Sequence, residues 1–565
     1  MPNPGQTSAR SPTQAQGLQN LYGEVIRAPG LKIETSSASI SSSLCTVAFA
    51  AIILLLVPEK EMSPTAKSTI FYGSVINPIS LVSYSASPLC LLAVDTLGNI
   101  DWLVDDVEPH NLQETLASKG YIDSEVIALR EGEFIIPGFI DTHTHAPQVP
   151  NMGTGGQYQL LDWLENVTFP TESKFADVNF ARKTYESVVR RAIDSGTTTC
   201  CYYGTLHLEA TKALADIVHA FGQRAFVGKC NMNRNCPGHY IEASQEDSIA
   251  DTQALISYIR SLSPQPELST QEPLVQPILT PRFAISCTDD LLSSLGDLAS
   301  SDPKLRIQTH ISENKSEISF THKLFPSAPN YAGVYDMFGL LRQNTILAHA
   351  VHLTEDEVDL IKSRDAGISH CPTSNFNLSS GVAPIGVYLD KGVKVGLGTD
   401  VSGGFSVSIL NAIQNASISA KICSLQAGNS ASSESAKSTS FANKQLSIPS
   451  LLYLATAGGA AVCGLEKQVG SFAAGKSFDA LIVNVRDEAG NPTIWGLNGT
   501  SPQLAAEDKK KLLEGWLERF LFCGDDRNIE RVYVQGAFVG GRTYRRGRMD
   551  DSSFLVGRDT SPKLI

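Results

Sequence analysis

The feature that most constrains the fold is a repeated alternation of apolar, strand-like runs with stretches of helical periodicity in the middle of the chain. The eight strand-like runs are EFIIPGFIDTHTH (133–145), GTTTCCYYGT (196–205), RAFVGKCNMN (224–233), VQPILTPRFAISC (275–287), LRIQTHIS (305–312), TILAHAVHL (345–353), AGISHCPTSN (366–375) and KVGLGTDVSG (394–403). The helical stretches are ARKTYESVVRRAI, LEATKALADIVHAF, DTQALISYIRSL, LLSSLGDLA, TEDEVDLIKS and SILNAIQNASISAKI. Eight such alternations predict an α/β fold of the (β/α)8 TIM-barrel type, which takes about 250 residues and tolerates insertions.

Shorter strand-like runs flank this region on both sides. FYGSVINPISLV and CLLAVDTLGNIDWL precede the barrel, whereas GSFAAGKSFDALIVNV and NIERVYVQGAFVGG follow it, and we expect a loop between these last two. IPSLLYLATAGGAAVCGL, just after the barrel repeats, predicts a helix with small residues on its packing face. Because chain termini commonly lie close together, we expect one small β-rich domain assembled from both flanks.

These patterns divide the chain into five expected segments. They are a disordered or poorly ordered extension at 1–65, the first part of the β-rich domain at 66–132, the barrel at 133–465 with a flexible Ser-rich insertion at 428–440, the second part of the β-rich domain at 466–550, and a tail at 551–565. The extension is rich in Ser, Ala, Gly and Pro and has no sustained periodicity. Its apolar run at 44–57 is shorter than the roughly 20 residues of a membrane helix, so we expect no membrane anchor.

Charge and cysteine usage restrict the partners and the compartment. The formal net charge of -13 argues against a nucleic-acid partner, since such proteins cluster Lys and Arg against phosphates. A small-molecule substrate fits better. The 11 cysteines form no CxxC pair, which favours reduced thiols in a cytoplasmic enzyme over a disulfide framework.

Ligand-type side chains follow the predicted strands at the ends where barrel enzymes carry their active sites. His143 and His145 end the first strand, where alternate residues point to one face, His310 ends the fifth, and Asp400 ends the eighth. Three imidazoles and one carboxylate suit zinc, with water completing the coordination sphere. The sequence therefore predicts a catalytic zinc site.

An acid and a further histidine accompany these residues. Glu313 follows His310 by three positions, which places a carboxylate beside the metal without ligating it. Zinc lowers the pKa of a bound water to about 7, and a neighbouring carboxylate can then take and return protons. Asp400 can share this work, and His349 lies in the sixth strand.

The motifs FIDTHTH, TPRF, THISENKSE, LAHAVHL, SHCPTSNFNLSSG and LGTDVSGG resemble those of the amidohydrolase superfamily, and within it those of the guanine deaminase family. The resemblance runs from about residue 69 to about residue 545. It implies a homodimer that converts guanine to xanthine and ammonia in purine catabolism, with one zinc ion per chain. The long N-terminal extension and the Ser-rich insertion depart from the family pattern without touching a motif.

Carried over to this sequence, the resemblance implies a role for each matching residue. The zinc ligands are His143, His145, His310 and Asp400, the catalytic residues are Glu313, Asp400 and His349, and the residues that contact the purine are Gln148, Arg282, Phe283, His310 and Asp400. The side-chain chemistry of Gln148 and Arg282 agrees with the roles that the resemblance implies. Gln offers a donor and an acceptor that match a lactam edge, and Arg is a permanently charged donor for a carbonyl oxygen.

Other readings stay open. The nearest is a deaminase or chlorohydrolase of the same superfamily that acts on another heterocycle. A hydantoinase-like two-metal hydrolase is disfavoured because the fourth strand carries Arg282 where a bridging Lys is expected. An inactive barrel that serves as a scaffold is the alternative from another class, since fold alone never proves activity. We also expect the segment 153–170, with its glycines and large apolar side chains, to close over the substrate.

Overall fold

The computed structural model describes residues 68–122, 124–262, 272–428, 440–495 and 505–545. The predicted extension at 1–65, its apolar run, residues 429–439 of the predicted insertion and the tail at 551–565 lie outside the described residues. Within the described ranges no helix is long and apolar enough to cross a membrane.

Two sheets organise the described chain. Their strands are β1 (Thr69–Ser80), β2 (Ser83–Val94), β3 (Ile100–Val104), β4 (Glu125–Ala128), β5 (Glu133–Pro137), β6 (Phe139–His145), β7 (Thr197–Tyr203), β8 (Arg224–Gly228), β9 (Cys230–Asn231), β10 (Val275–Pro281), β11 (Arg306–Ile311), β12 (Thr345–His349), β13 (Gly367–His370), β14 (Lys394–Leu397), β15 (Ala480–Asn484), β16 (Ile529–Val534) and β17 (Ala537–Gly540). One sheet has the order β14-β13-β12-β11-β10-β8-β7-β6, with every pair parallel and β9 extending the contact of β8 with β10.

Helices follow most of the parallel strands, and others lie between strands of the second sheet. They are α1 (Leu112–Lys119), α2 (Leu160–Trp163), α3 (Phe169–Glu172), α4 (Val178–Asp194), α5 (Leu208–Phe221), α6 (Gln245–Leu262), α7 (Asp289–Ser301), α8 (Lys315–Leu324), α9 (Tyr331–Met337), α10 (Glu355–Ser363), α11 (Pro372–Asn377), α12 (Ile385–Asp390), α13 (Ile409–Gly428), α14 (Ile448–Tyr453), α15 (Gly459–Val462) and α16 (Ala506–Cys523). The predicted (β/α)8 barrel is confirmed.

The sequence of α5 shows why these helices form. Ala210, Leu214 and Val218 recur every four residues and lie buried on one face. The helix ends at Gly222, whose φ of 71° is the left-handed conformation that glycine adopts without strain. The apolar face thus packs onto the sheet, and the strand that follows can turn back into the barrel.

Hydrogen bonds between the first and last strands close the barrel and position the site. The buried Asp141 accepts from the backbone N–H of His143 at 3.2 Å and from that of Thr399 at 3.0 Å. The N–H of Asp400 donates to the carbonyl of His143 at 2.9 Å. The carboxylate of Asp400 is therefore brought beside the histidines of β6.

The first strand-like run is divided between the two sheets, whereas we expected a single barrel strand. Residues 133–137 form β5, which pairs antiparallel with β15 and parallel with β1 in the other sheet. Pro137 has no N–H to continue a ladder, and Gly138 leaves no room for a side chain because a Cβ there would lie 2.1 Å from Thr198 Oγ1. The chain changes sheets at this point and enters the barrel as β6.

The second sheet has the order β17-β16-β15-β5-β1-β2-β3, with β4 paired to β1. Strands from before and after the barrel thus lie in one sheet, as predicted. Between β15 and β16 we expected only a loop, and this was wrong, since α16 lies there and buries Leu513, Leu517, Phe520 and Leu521. The charged start AEDKKK concealed the apolar face of this helix in the sequence pattern.

A buried ion pair joins the barrel to the second sheet at the end opposite the site. Arg224 begins β8, and its guanidinium donates to both carboxylate oxygens of Asp479, at 3.0 and 3.2 Å. Asp479 also accepts from the N–H of Gln535 at 2.8 Å. This pair holds the β-rich region against the barrel without contacting the cavity described below.

Candidate active site

Two histidines converge on one carboxylate oxygen at the carboxyl ends of the barrel strands, and a third histidine adjoins them. Asp400 Oδ1 lies 3.1 Å from His143 Nε2 and 3.5 Å from His145 Nε2. His145 Nε2 lies 3.1 Å from His310 Nε2. These separations suit ligands that surround a single cation, because zinc ligands at about 2.0–2.2 Å from the metal lie 3–4 Å from each other.

His349 and Glu313 lie on the other side of the same carboxylate. His349 Nε2 is 3.6 Å from Asp400 Oδ2 and 3.4 Å from Glu313 Oε2. One ligand atom from each of His143, His310, His349 and Asp400 fits within 4.8 Å of the others, so His349 belongs to the cluster by distance as well. The contacts of the two Asp400 oxygens separate a side with His143 and His145 from a side with His349 and Glu313.

Neighbouring acceptors fix the orientation of two of the rings. His310 Nδ1 donates to the carbonyl oxygen of Arg282 at 2.6 Å, and His349 Nδ1 donates to Asn375 Oδ1 at 2.9 Å. In each ring the Nε2 atom is then the one that faces the cluster. Such outer hydrogen bonds commonly set the tautomer of a metal-binding histidine.

The cluster also fits a cation by its chemistry. Among the described residues, the Nδ1 atoms of His143 and His145 have no hydrogen-bond partner, although both rings are buried. Burial lowers the pKa of His143, His145 and His310, so the rings are neutral and their lone pairs are available. Buried polar atoms of this kind are costly unless they bind something. The donor set therefore fits a metal ion.

The two acids of the site differ in their ionisation. Burial alone would raise the pKa of Asp400, but the surrounding histidines hold it well below its usual range. Burial raises the pKa of Glu313 to about 7, with His349 opposing this shift and Asp400 adding to it. A hydrogen bond of 3.0 Å from the hydroxyl of Ser380 holds Glu313 Oε1 in place. Asp400 is thus a permanent anion, whereas Glu313 can exchange a proton near neutral pH.

The backbone is strained at two of these residues. His349 has a φ of 72° and Asp400 a φ of 44°, both in the left-handed region that residues with a Cβ avoid. Such strain commonly accompanies functional sites, where the surrounding structure holds the residue in its place.

A second polar group, which we call the Glu172 network, lies beside the cluster. It consists of Glu172, Gln148, Arg282 and Tyr240. The Glu172 carboxylate accepts from Gln148 Nε2 at 2.7 Å, from Arg282 Nη1 at 2.7 Å and Nη2 at 3.0 Å, and from the Tyr240 hydroxyl at 2.7 Å. Burial lowers the pKa of Arg282, but the Glu172 carboxylate outweighs this and raises it above its ordinary value.

One cavity joins the cluster to this network. It is lined by His145, Gln148, Leu160, Trp163, Leu164, Arg282, Phe283, His310, Glu313, His349, Leu378 and Asp400. Leu160, Trp163 and Leu164 come from the segment at 153–170 that we expected to cover the substrate. Phe283 is buried and its ring lies 6.4 Å from that of His310, edge to face.

The structure brings all the predicted site residues to this cavity or to the cluster at its floor. Sequence reasoning missed Glu172, Tyr240 and Tyr203. The Tyr203 ring packs against His145 at 4.4 Å and against His143 at 4.8 Å. Its position at the end of β7 was a usable signal, since strand ends carry the site, whereas no motif marks Glu172 or Tyr240.

Comparisons with known proteins agree with this geometry. The model of the amidohydrolase family matches residues 134–539. The chain is 43% identical to a probable guanine deaminase of Schizosaccharomyces pombe over 84% of this chain and 83% of that protein. It is 38% identical to the guanine deaminase of Homo sapiens over 85% of this chain and 98% of that protein.

A solved structure extends the comparison to three dimensions. The crystal structure of guanine deaminase from C. acetobutylicum, with guanine bound in its active site, superposes with a TM-score of 0.70 at 34% identity, and covers 84% of this chain and all of that one. With its parallel barrel, its histidine and aspartate cluster and these relatives, the chain belongs to the amidohydrolase family and, within it, to the guanine deaminases.

Proposed function

We propose that the chain hydrolyses guanine to xanthine and ammonia. The observation that carries this proposal is the single cavity in which a cation-binding cluster and a proton-exchanging acid, Glu313, stand beside Gln148 and Arg282. These two groups can read the polar edge of a purine. The relatives that share most of the chain are guanine deaminases, which supports the same substrate.

The cation of the proposal is one zinc ion per chain, held by His143, His145, His310 and Asp400. Neutral imidazoles and one carboxylate are the ligands of catalytic zinc. When bound, zinc would supply the Lewis acidity that makes water a nucleophile near neutral pH. The contacts of Asp400 support this division of ligands, since its Oδ1 faces His143 and His145 while its Oδ2 faces His349.

Glu313 moves the protons in this scheme. Its pKa of about 7 lets it accept a proton from the attacking water and release it to the purine ring as the nucleophile adds to C2. Burial lowers the pKa of His349, but the carboxylates of Glu313 and Asp400 outweigh this and raise it, so the protonated Nε2, 3.4 Å from Glu313 Oε2, donates to the same region, and the anionic Asp400 accepts a hydrogen bond there. The hydroxyl on C2 then gives its proton, by way of Glu313, to the amino nitrogen, and the bond from C2 to that nitrogen breaks as the C2 carbonyl forms. The nitrogen leaves as ammonia, and xanthine remains.

The purine is held by residues on the wall of the cavity. Gln148 pairs with the lactam edge, Arg282 donates to the carbonyl oxygen, and Phe283 covers a ring face. His310 and Asp400 contact the substrate next to the reacting carbon. The segment at 153–170 contributes Leu160, Trp163 and Leu164 and excludes water from the reaction.

Three further features belong to the proposal. The enzyme is a homodimer, as the resemblance to the family implies, and it acts in the cytoplasm, where its cysteines stay reduced. The segment boundaries given above, with an extension at 1–65 and a tail at 551–565, complete it.

Metal content and guanine turnover, measured on the same purified sample, test the proposal. We expect stoichiometric zinc, loss of the guanine absorbance, and xanthine and ammonia in equal amounts. Bound zinc without turnover of guanine would still support a hydrolase, but one that acts on another aminated or chlorinated heterocycle. A protein that binds no metal after zinc is supplied would contradict the proposal and favour a scaffold role.

A further inference from the structure

Glu172 is a buried carboxylate that lies outside the cation-binding cluster and has all of its acceptor positions in use. It ends α3, and its side chain is fully buried. Each oxygen accepts two hydrogen bonds, Oε1 from Gln148 and Arg282, and Oε2 from Arg282 and Tyr240. A fully bonded buried carboxylate is rigid, because moving it would leave several groups unpaired at once.

Glu172 determines which way the amide of Gln148 points. A carboxylate only accepts, so the amide must turn its Nε2 toward Glu172. The Oε1 atom of Gln148 accepts from the backbone N–H of Ser402 at 3.1 Å, which requires the same orientation. One N–H and one lone pair of the amide then remain for a ligand in the cavity. The pattern of donor and acceptor that Gln148 offers is thus fixed before any substrate arrives.

Glu172 also balances the charge of Arg282. The guanidinium is buried and donates to both oxygens of the carboxylate, at 2.7 and 3.0 Å. The ring of Phe169, on the same short helix, lies 5.3 Å from the Arg282 guanidinium carbon and covers its face. Arg282 therefore presents directed N–H groups to the cavity with little net charge.

We propose that Glu172 is a positioning residue that sets the preference of this cavity for a neutral aminated purine over an anionic oxypurine. An unpaired arginine would attract anions, and the deaminated product becomes an anion at alkaline pH. With the pair intact, the cavity offers hydrogen bonds to a neutral ligand and no excess charge to retain an anion. The inference rests on the proposed function and specifies what the same site selects.

The test compares Glu172→Gln with Asp479→Asn. Both substitutions neutralise a buried carboxylate that binds an arginine through both oxygens, but the pair of Arg224 and Asp479 lies at the far end of the barrel. In Glu172→Gln we expect KM for guanine to rise about tenfold to a hundredfold with a smaller change in kcat, from the loss of bonds to a charged group. Inhibition by xanthine at alkaline pH should become stronger. Asp479→Asn should lower the stability of the protein and leave the ratio of the KM for guanine to the inhibition constant for xanthine unchanged.

If Glu172→Gln weakened the binding of guanine and of xanthine to the same extent, the inference would be overturned, because a merely structural role predicts equal weakening. Glu172→Asp provides a second test if the Gln variant does not fold. It keeps the charge but shortens the side chain, so KM for guanine should rise without any gain in xanthine affinity. A Glu172→Asp variant with the guanine KM of the parent would contradict the inference. A parent protein that binds neither purine in calorimetry would instead overturn the proposed function itself.

Discussion

The cluster around Asp400 and the Glu172 network line the same cavity, yet they are built in opposite ways. In the cluster, imidazoles aim nitrogen atoms at one another, and the Nδ1 atoms of His143 and His145 have no hydrogen-bond partner among the described residues. In the network, both oxygens of Glu172 are saturated by donors from Gln148, Arg282 and Tyr240.

This difference separates two kinds of preorganisation. The cluster fits a cation, because it brings several ligand atoms together and buried unpaired nitrogens are costly. The network is complete by itself and presents a fixed pattern of hydrogen bonds to a ligand. Variants in the first should therefore change metal binding, whereas variants in the second should change substrate selection.

The largest effect is expected for His143→Ala. It removes a ring that lies 3.1 Å from Asp400 Oδ1, so metal binding and turnover should both be lost. The matched control is His370→Ala, since His370 is also buried at a strand end with both ring nitrogens unpaired, but lies outside the cluster. Metal analysis of the purified variants checks this. Full metal occupancy in His143→Ala, or loss of metal in His370→Ala, would contradict the assignment of metal binding to the cluster.

The next effect in size is expected for Glu313→Gln, which separates proton transfer from metal binding. The amide keeps the volume of the side chain but cannot accept and return a proton, so kcat should fall about 10²- to 10⁴-fold at constant metal content. The Glu172 network should be unaffected, and the guanine affinity should change little. Steady-state kinetics with metal analysis measures both quantities.

Glu357→Gln is the matched control for that substitution. Glu357 is another buried glutamate, but it lies away from the cavity, where its two oxygens accept from the backbone N–H groups of Ala332 and Thr354, so Gln at this position should cost stability without changing the site. Its kinetics should equal those of the parent. A Glu313→Gln variant with parental kcat would contradict the assigned role.

The two regions also differ in how far the sequence predicts them. His143, His145, His310 and Asp400 lie near or just past the carboxyl end of a strand in a repeated β-α pattern, and parallel strands bring their carboxyl ends to one face. Once the strands are recognised in the sequence, the geometry common to all barrels is enough to predict that these side chains lie together. The same pattern predicted the barrel, and the β-branched runs that flank it predicted most strands of the second sheet.

The Glu172 network could not be predicted in this way. Glu172 lies on a four-residue helix, and Tyr240 lies in the loop after β9, so no periodicity relates them to Gln148 or Arg282. Their association depends on how two long loops fold over the barrel, which is a matter of tertiary packing. A lone glutamate between polar residues ordinarily indicates a solvated surface.

The smallest effect is expected for Tyr240→Phe, which tests the network by a single bond. The substitution removes the 2.7 Å hydrogen bond from the Tyr240 hydroxyl to Glu172 Oε2 and leaves the ring and the other three bonds in place. The loss of about 1 kcal/mol corresponds to a rise of roughly fivefold in KM for guanine, with kcat and metal content unchanged. Because Arg282 still holds the same oxygen, the charge balance persists, and inhibition by xanthine should not strengthen.

Steady-state kinetics with both purines measures this prediction for Tyr240→Phe, and Tyr258→Phe is the control. The hydroxyl of Tyr258 also donates to a carboxylate, that of Asp216, away from the cavity. If Tyr240→Phe lowered kcat or metal content instead, the network would act on the cluster, and the two regions would function as one unit.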